Sequence, residues 1–300
     1  MALGNANVIP RLYAARVIKE YEDKRVYAAR TNRTWQSALR QGGNTIRISE
    51  LVAPTVKDYD ASATPAVAYE SIDADKAKDL TLSYEKYFAG KIGDIAELQS
   101  KPDLMSEYAA AAGVKLAEQV DADVYANMTK SGNFTAGPAI ALDRSTALTL
   151  NDFKFSLLHR RMDVAKMPRE GRWVIVGPYT AEALMATSLS SAFVAADAVS
   201  GLQNGRLGTF AGLTLYISGD ANSNFDDDSA NSNTNPNATE TWIFGNNTSL
   251  AFVDQVSSIE RIRMESDFAD GIRGLYTYGM DTIWPDRLYN SICTITKIPL

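Results

Sequence analysis

Between residues 104 and 128 an apolar side chain recurs at every fourth position: Leu104, Tyr108, Ala112, Leu116, Val120, Val124 and Met128. No other feature constrains the fold as strongly. Side chains four apart share one side of an α-helix, so the spacing predicts a single long helix over about 103–131. Asp103 is placed to cap its start, and Gly132 to take the left-handed position beyond its end. At ~1.5 Å per residue the rod is about 40 Å long, enough to organise whatever packs against it. Gly113 within it costs roughly 1 kcal/mol relative to alanine.

Ahead of this helix the period falls to two. Ile46 and Ile48 alternate with Arg47 and Ser49, and Leu80, Leu82 and Tyr84 alternate with Thr81, Ser83 and Glu85, which reads as two strands of one long hairpin. The connection between them is small and polar, holds Pro54 and Pro65, and has no periodic apolar face of its own. So long a connection inside a compact domain implies a function, and we read it as a projecting loop that touches something else. Upstream, residues 10–30 carry an irregular amphipathic pattern, a helix or arm whose narrow apolar stripe needs a surface to lie on.

The middle third reads as α/β. A helix holds Phe153, Phe155, Leu157, Leu158 and Met162 with Asn151 or Asp152 as cap, residues 172–178 form a buried strand, and helix resumes over 180–189. Strands follow at 212–217 and 241–246, separated by a polar Asn/Ser/Asp-rich loop over 220–240. Near the C-terminus Ile272, Tyr276, Tyr278, Met280 and Trp284 lie on one side of a long strand that Pro285 stops, and 288–298 alternates again.

Composition removes most enzyme chemistry. One cysteine, Cys293, excludes an intrachain disulfide and multi-cysteine zinc sites, and one histidine, His159, excludes a histidine-pair site. Neither GxGxxG nor GxxxxGK[ST] occurs, no GxSxG elbow accompanies His159, and the Asp226-Asp227-Asp228 run lacks the alternation of a calcium loop. The reading is therefore no catalytic, cofactor-binding or metal residue, and no cofactor. His159 reads as a helix-surface residue and Cys293 as a small core residue. With no apolar run of about 20 residues, no membrane span is expected. The net charge of −6 is unevenly placed: residues 1–50 hold nine basic and four acidic residues, a basic head on an acidic body. Arg30, Arg33 and Arg40 around Trp35 are the candidates for weak, salt-sensitive contact with a polyanion.

The stretches RVYAARTNRTWQSALRQGGNTIRISELVAPTVKDY, DLTLSYEKYFAGKIGDI, the helix from Asp103, and GLYTYGMDTIWPDRLYN, taken in this order, resemble the major capsid proteins of tailed bacteriophages, with the Hong Kong 97-like fold. The resemblance covers nearly the whole chain. It implies an α+β fold with an N-terminal arm (1–42), an extended hairpin loop (43–88), a peripheral domain (89–135 with 256–300) and an α/β axial domain (136–255). It further implies a structural protein, not an enzyme, that assembles with itself through pentamers and hexamers into an icosahedral shell enclosing phage DNA. The protein would be made in the bacterial cytoplasm and end in the virion. Scaffolding, portal and decoration proteins are the expected partners, with non-specific contact to packaged DNA. Some family members crosslink a loop lysine to a neighbour's asparagine, and Lys57, Lys76 and Lys78 are the candidates here. Two other readings stand beside this one: an encapsulin-like nanocompartment shell, and a soluble α/β hydrolase.

Overall fold

The computed structural model describes residues 16–21, 25–39, 44–50, 56, 58–59, 76–93, 104–143, 148, 152–186, 206–210, 212–218, 238–264 and 267–296. Among the described residues twelve strands fall into three sheets. A two-stranded ribbon pairs β1 (Thr45–Glu50) with β2 (Lys76–Thr81). A three-stranded sheet runs β10 (Leu250–Arg263), β11 (Ala269–Thr282), β3 (Tyr84–Gly93). A mixed seven-stranded sheet runs β4 (Thr135–Ala136), β12 (Leu288–Thr296), β9 (Ala238–Asn246), β6 (Arg172–Val176), β8 (Leu213–Ile217), β7 (Arg206–Phe210), with β5 (Ile140–Asp143) also on β12. The helices are α1 (residues 16–21), α2 (Gln36–Leu39), α3 (Leu104–Met128), α4 (Phe155–Val164) and α5 (Pro178–Ala186).

The long helix, α3, exists, but its buried row is not the one the four-residue spacing selects. Met105, Ala109, Ala112, Ala117, Val120, Val124 and Met128 are buried, while Tyr108 is exposed and Leu116 only partly covered. At 3.6 residues per turn a strict i+4 row drifts by about 40° per step, so a straight contact must change row along the helix. Three of these seven are alanine, and the small side chains let neighbours approach. At Gly113 an added Cβ would lie 2.6 Å from the carbonyl oxygen of Val17 on α1. The glycine thus admits the backbone of the arm. Gly132 follows the helix at φ +91°, as expected, whereas Asp103 lies outside the described residues.

The strand Arg172–Val176 is buried along its whole length because both faces of its sheet are covered. Val174 and Val176 face a core with Phe155, Leu158 and Met162 of α4 and Ala183 and Leu184 of α5. Trp173 and Ile175 face a second core with Val120, Val124 and Met128 of α3 and Phe252, Tyr276 and Tyr278 of the three-stranded sheet. β6 and β8 are parallel neighbours, and the chain between them carries α5 and then β7, within the α/β region expected in the middle third.

Several expectations change in detail. Tyr84 does not continue the hairpin: β2 ends at Thr81, and Tyr84 opens β3, which pairs with β11. The cap of α4 is neither Asn151 nor Asp152 but Lys154, in the left-handed region at φ +51°, whose carbonyl accepts from the N–H groups of Leu157 and Leu158. β12, expected beside the long helix, joins the seven-stranded sheet between β9 and β5. Strand β10 carries a bulge between Val256 and Ser258. The loop over 220–240 lies outside the described residues up to β9, and Asp226, Asp227 and Asp228 lie in it.

The start of α5 is capped from across the sheet. Glu240, fully buried, accepts from the N–H of Tyr179 at 2.8 Å and from the Thr180 hydroxyl, while the Trp242 indole donates to Thr180 Oγ1 at 3.0 Å. Burial raises the Glu240 pKa above the ordinary 4.5, against hydrogen bonds from Thr180 and Tyr179 that lower it. A raised folded pKa favours the neutral acid in the fold. The stability it contributes is therefore whole below pH 4.5 and lost as pH rises through the raised value. Denaturant titrations from about pH 4 to 8 should show the wild type losing stability relative to Glu240→Gln as pH rises.

Gly113→Ala should lower the thermal midpoint although alanine is the better helix former. The clash is with backbone, which cannot swing aside, and overpacking of ~1–3 kcal/mol exceeds the ~1 kcal/mol gained in propensity.

Candidate assembly surface

The arm, the long helix and the hairpin meet along β10, and each junction is a hydrogen bond or ion pair between segments far apart in the chain. Asp121, buried on α3, accepts from the N–H of Val26 at 2.5 Å and of Ala28 at 2.9 Å. Burial raises its pKa, and those backbone donors offset the rise. The arm then meets β10: the N–H of Asn32 donates to the Leu250 carbonyl at 2.8 Å, and that of Phe252 to the Asn32 carbonyl at 3.0 Å.

Asp254 is the second clamp. It accepts from Arg33 at 3.0 Å and from the Tyr276 hydroxyl at 2.6 Å, with Arg25 3.8 Å away. Tyr276 gives its proton to Asp254, so Tyr21 donates to Tyr276 across their 2.6 Å contact. Burial raises the pKa of both phenols and keeps them protonated. Gln36 completes the clamp by pairing with the Asp254 main chain: its Oε1 accepts from the N–H at 3.1 Å and its Nε2 donates to the carbonyl.

The hairpin stands on the same strand. Ile48 and Leu80, diagonal neighbours across the ribbon, are buried with Ala251, Val253 and Ile283, and Trp35 and Trp284 pack around them. The Lys78 ammonium donates to the Thr282 carbonyl at 2.5 Å. The ribbon is therefore rooted in the body, and its two strands pair as the expected hairpin, with Ile46 opposite Leu80. Of the connection beyond it, Val56, Asp58 and Tyr59 are described and exposed, Val56 at 95% and Tyr59 at 73%; the rest of 51–75 lies outside the described residues.

Away from these clamps large apolar side chains face outward. Phe268, at the turn between β10 and β11, is 87% exposed, and Tyr87 on β3 is 80% exposed. Beside Tyr87 a groove of about 490 Å³ runs between β3 and α3.

The residues singled out from sequence fall elsewhere. His159 Nδ1 lies 3.3 Å from Asp163 Oδ2, one turn along α4, the ordinary pairing of a helix surface. Cys293 is buried in β12, and burial pushes its thiol pKa far up, away from a reactive thiolate. Arg30 stacks on Tyr216 at 3.8 Å and Arg33 on Phe252 at 5.1 Å, so two of the three arginines expected to meet a polyanion serve the fold instead. Arg40 and Lys57 lie outside the described residues, Lys76 sits in β2, and Lys78 is held as above. Among the described residues no cluster of His, Cys, Asp and Glu could hold a metal ion, and no helix is long and apolar enough to cross a membrane. Sequence reading missed Asp121, Asp254 and Phe268. The signal available was a carboxylate interrupting an apolar row in the first two and a phenylalanine in a turn in the third.

A body that spends its polar chemistry on joining its own segments while turning aromatic side chains outward defines a structural protein that works by contact. The comparisons agree. A family model described as phage capsid protein matches residues 70–289. A solved structure from Mycobacterium phage Che8 is 26% identical at a TM-score of 0.65, over 89% of this chain and 90% of that one. The mature capsid of bacteriophage PhiM1 (17% identity, TM-score 0.53, 86% and 83%) and a virus-like particle from Pyrococcus furiosus (11%, 0.53, 92% and 96%) share the fold. No curated protein sequence matches the chain. The chain belongs to the phage capsid protein family, and its architecture is the Hong Kong 97-like capsid fold expected from the sequence.

Asp254→Ala strands Arg25 and Arg33 without their carboxylate, and breaking a buried pair from one side costs about 3–5 kcal/mol. The variant should unfold at lower temperature and expose Lys19 and Arg25 to trypsin in limited proteolysis.

Proposed function

We propose that this chain is the major capsid protein of a tailed bacteriophage, the repeating structural unit of the icosahedral head shell that encloses the phage DNA. The observation that carries the reading is the family match over most of the chain together with a ribbon rooted at Ile48 and Leu80 and a long connection beyond it. A loop with no core of its own gains its order on another subunit, which makes assembly cooperative.

In this reading residues 1–42 are the arm and 43–88 the extended loop. The peripheral domain, 89–135 with 256–300, carries α3 and most of the three-stranded sheet, and the axial domain, 136–255, carries most of the seven-stranded sheet, with β12 of the peripheral range pairing onto that sheet. Axial domains line five- and six-membered rings, and the extended loop lies across a neighbour's peripheral domain. Contacts between unlike surfaces close into a finite object. The protein is made in the host cytoplasm and carried in the virion, with scaffolding, portal and decoration proteins as further partners and packaged DNA met through charge alone. Its role is structural rather than enzymatic. Of the crosslinking candidates Lys57, Lys76 and Lys78, the last already gives its ammonium to the Thr282 carbonyl. The likeness to the Pyrococcus furiosus particle, at 11% identity, speaks to fold and does not favour a nanocompartment.

The test is electron microscopy and sedimentation of the purified chain, with shells or rings expected; compact monomers at high concentration would refute the reading. Deleting Ala61–Ala74 should leave the circular dichroism spectrum and thermal midpoint near wild type while abolishing shells, since no intrachain core is removed. A deletion variant that aggregates unfolded would refute the projecting loop.

A further inference from the structure

Two of the arginines that the sequence offers to a polyanion are engaged in the fold, Arg30 on the Tyr216 ring and Arg33 on Asp254. A second basic stretch is not. Residues 152–172, from just before α4 to the start of β6, hold six basic residues and three acidic ones in a chain whose net charge is −6. Phe155, Leu158 and Met162 turn inward, which leaves Arg160, Arg161 and Val164 on the outward face of α4, with Lys166 and Arg169 exposed just beyond its end.

The acidic residues nearby leave most of this charge uncompensated. Asp163 is held at 2.8 Å by Arg172, a buried cation, and has His159 at 3.3 Å and Arg169 at 3.8 Å. Asp152 precedes Lys154, and Glu170 stands exposed after Arg169. Arg160 and Lys166 have no acidic partner among the described residues. Lys154 and Arg161 are anchored on neutral groups: the Lys154 ammonium donates to the Ala139 carbonyl at 2.8 Å, and the Arg161 guanidinium to the Ala136 carbonyl at 3.0 Å. A carbonyl fixes a cation in place and leaves its charge whole, so both are held for an anion at little further loss of freedom.

An anion that meets cations spread along about 15 Å of helix must itself be extended. The outward face of a single helix, with Val164 as its one exposed apolar side chain, gives a protein partner little shape to pack on, whereas a phosphate backbone asks only for charge. We propose that the face of α4 carrying Lys154, Arg160, Arg161 and Lys166 binds the phosphates of duplex DNA. The contact rests on the capsid reading, which supplies the DNA, and it turns the α4 side of the axial domain toward the shell interior. Because it reaches phosphates and no base edge, it is indifferent to sequence.

The measurement is fluorescence anisotropy of a short labelled DNA duplex titrated with the purified full chain over a range of salt. Arg160→Gln/Arg161→Gln/Lys166→Gln should keep the thermal midpoint, lower the affinity at least about tenfold, and make the slope of log affinity against log salt shallower by about 3, roughly one for each lost phosphate contact. Arg160→Gln alone, which breaks no ion pair among the described residues, should move that slope by about 1. Lys19→Gln/Lys115→Gln/Lys130→Gln removes the same charge elsewhere and should leave affinity and slope near wild type. No salt-dependent binding by the wild type, a slope unmoved by the α4 variants, or an equal loss in the control would each overturn the inference. So would a triple α4 variant that binds DNA as the wild type does but no longer forms particles, since the face would then join copies of the chain. Wild-type chains that bind DNA through this face yet never form particles would instead overturn the capsid reading.

Discussion

The close seat of the N-terminal arm on the long helix is the contact on which the other junctions depend. It requires Gly113, where the Val17 carbonyl leaves no space for a side chain, and Asp121, whose carboxylate receives two N–H groups of the arm's next turn. With the arm so placed, Arg25 and Arg33 reach Asp254, Asn32 pairs beside β10, and Trp35 covers the foot of the ribbon. One helix face therefore sets the arm, and the arm sets the ribbon. The second core, shared by α3, the arm and two sheets, makes these placements interdependent.

The polar groups buried in this fold join segments rather than perform reactions. Glu240 caps a helix from a strand about sixty residues away, Asp121 caps a turn of the arm, and Asp254 collects two arginines and a tyrosine hydroxyl. Leaving such groups unpaired would cost more than making the bonds yields, so they specify which segments meet. A subunit that must hold a shape while its outer surface does the work needs this kind of interior, and the family assignment agrees with it.

What could be read from one sequence follows from how local the governing physics is. The period-two runs marked the ribbon and which side chains share a face, because a one-residue slip would turn every side chain over, whereas the pairing of Ile46 with Leu80 among the even shifts is set by the body beneath. The long helix was legible and its buried row was not, because the four-residue spacing of large residues ignores the drift of the helix and alanine carries no mark of burial. Tyr84 continued the alternation across a change of sheet that only the partner β11 defines. The cap of α4 was misplaced because a lysine in left-handed backbone does the work that an Asn or Asp side chain usually does. Asp121 and Asp254 act on residues 93 to 221 positions away, and no window of the chain contains both halves.

The bulge between Val256 and Ser258 interrupts the pairing midway along the β10–β11 hairpin. Such an irregularity bends its strand and tightens the local twist, so the outer half of the hairpin points along a direction the inner half does not share. Lengthening or shortening the strand there by one residue would re-aim the tip without touching the body beneath. In a shell made of one repeated subunit, the angle at which neighbours tilt is the curvature, and curvature is particle diameter. One more residue in this strand would therefore change the tilt between neighbouring subunits and, with it, the diameter of the shell.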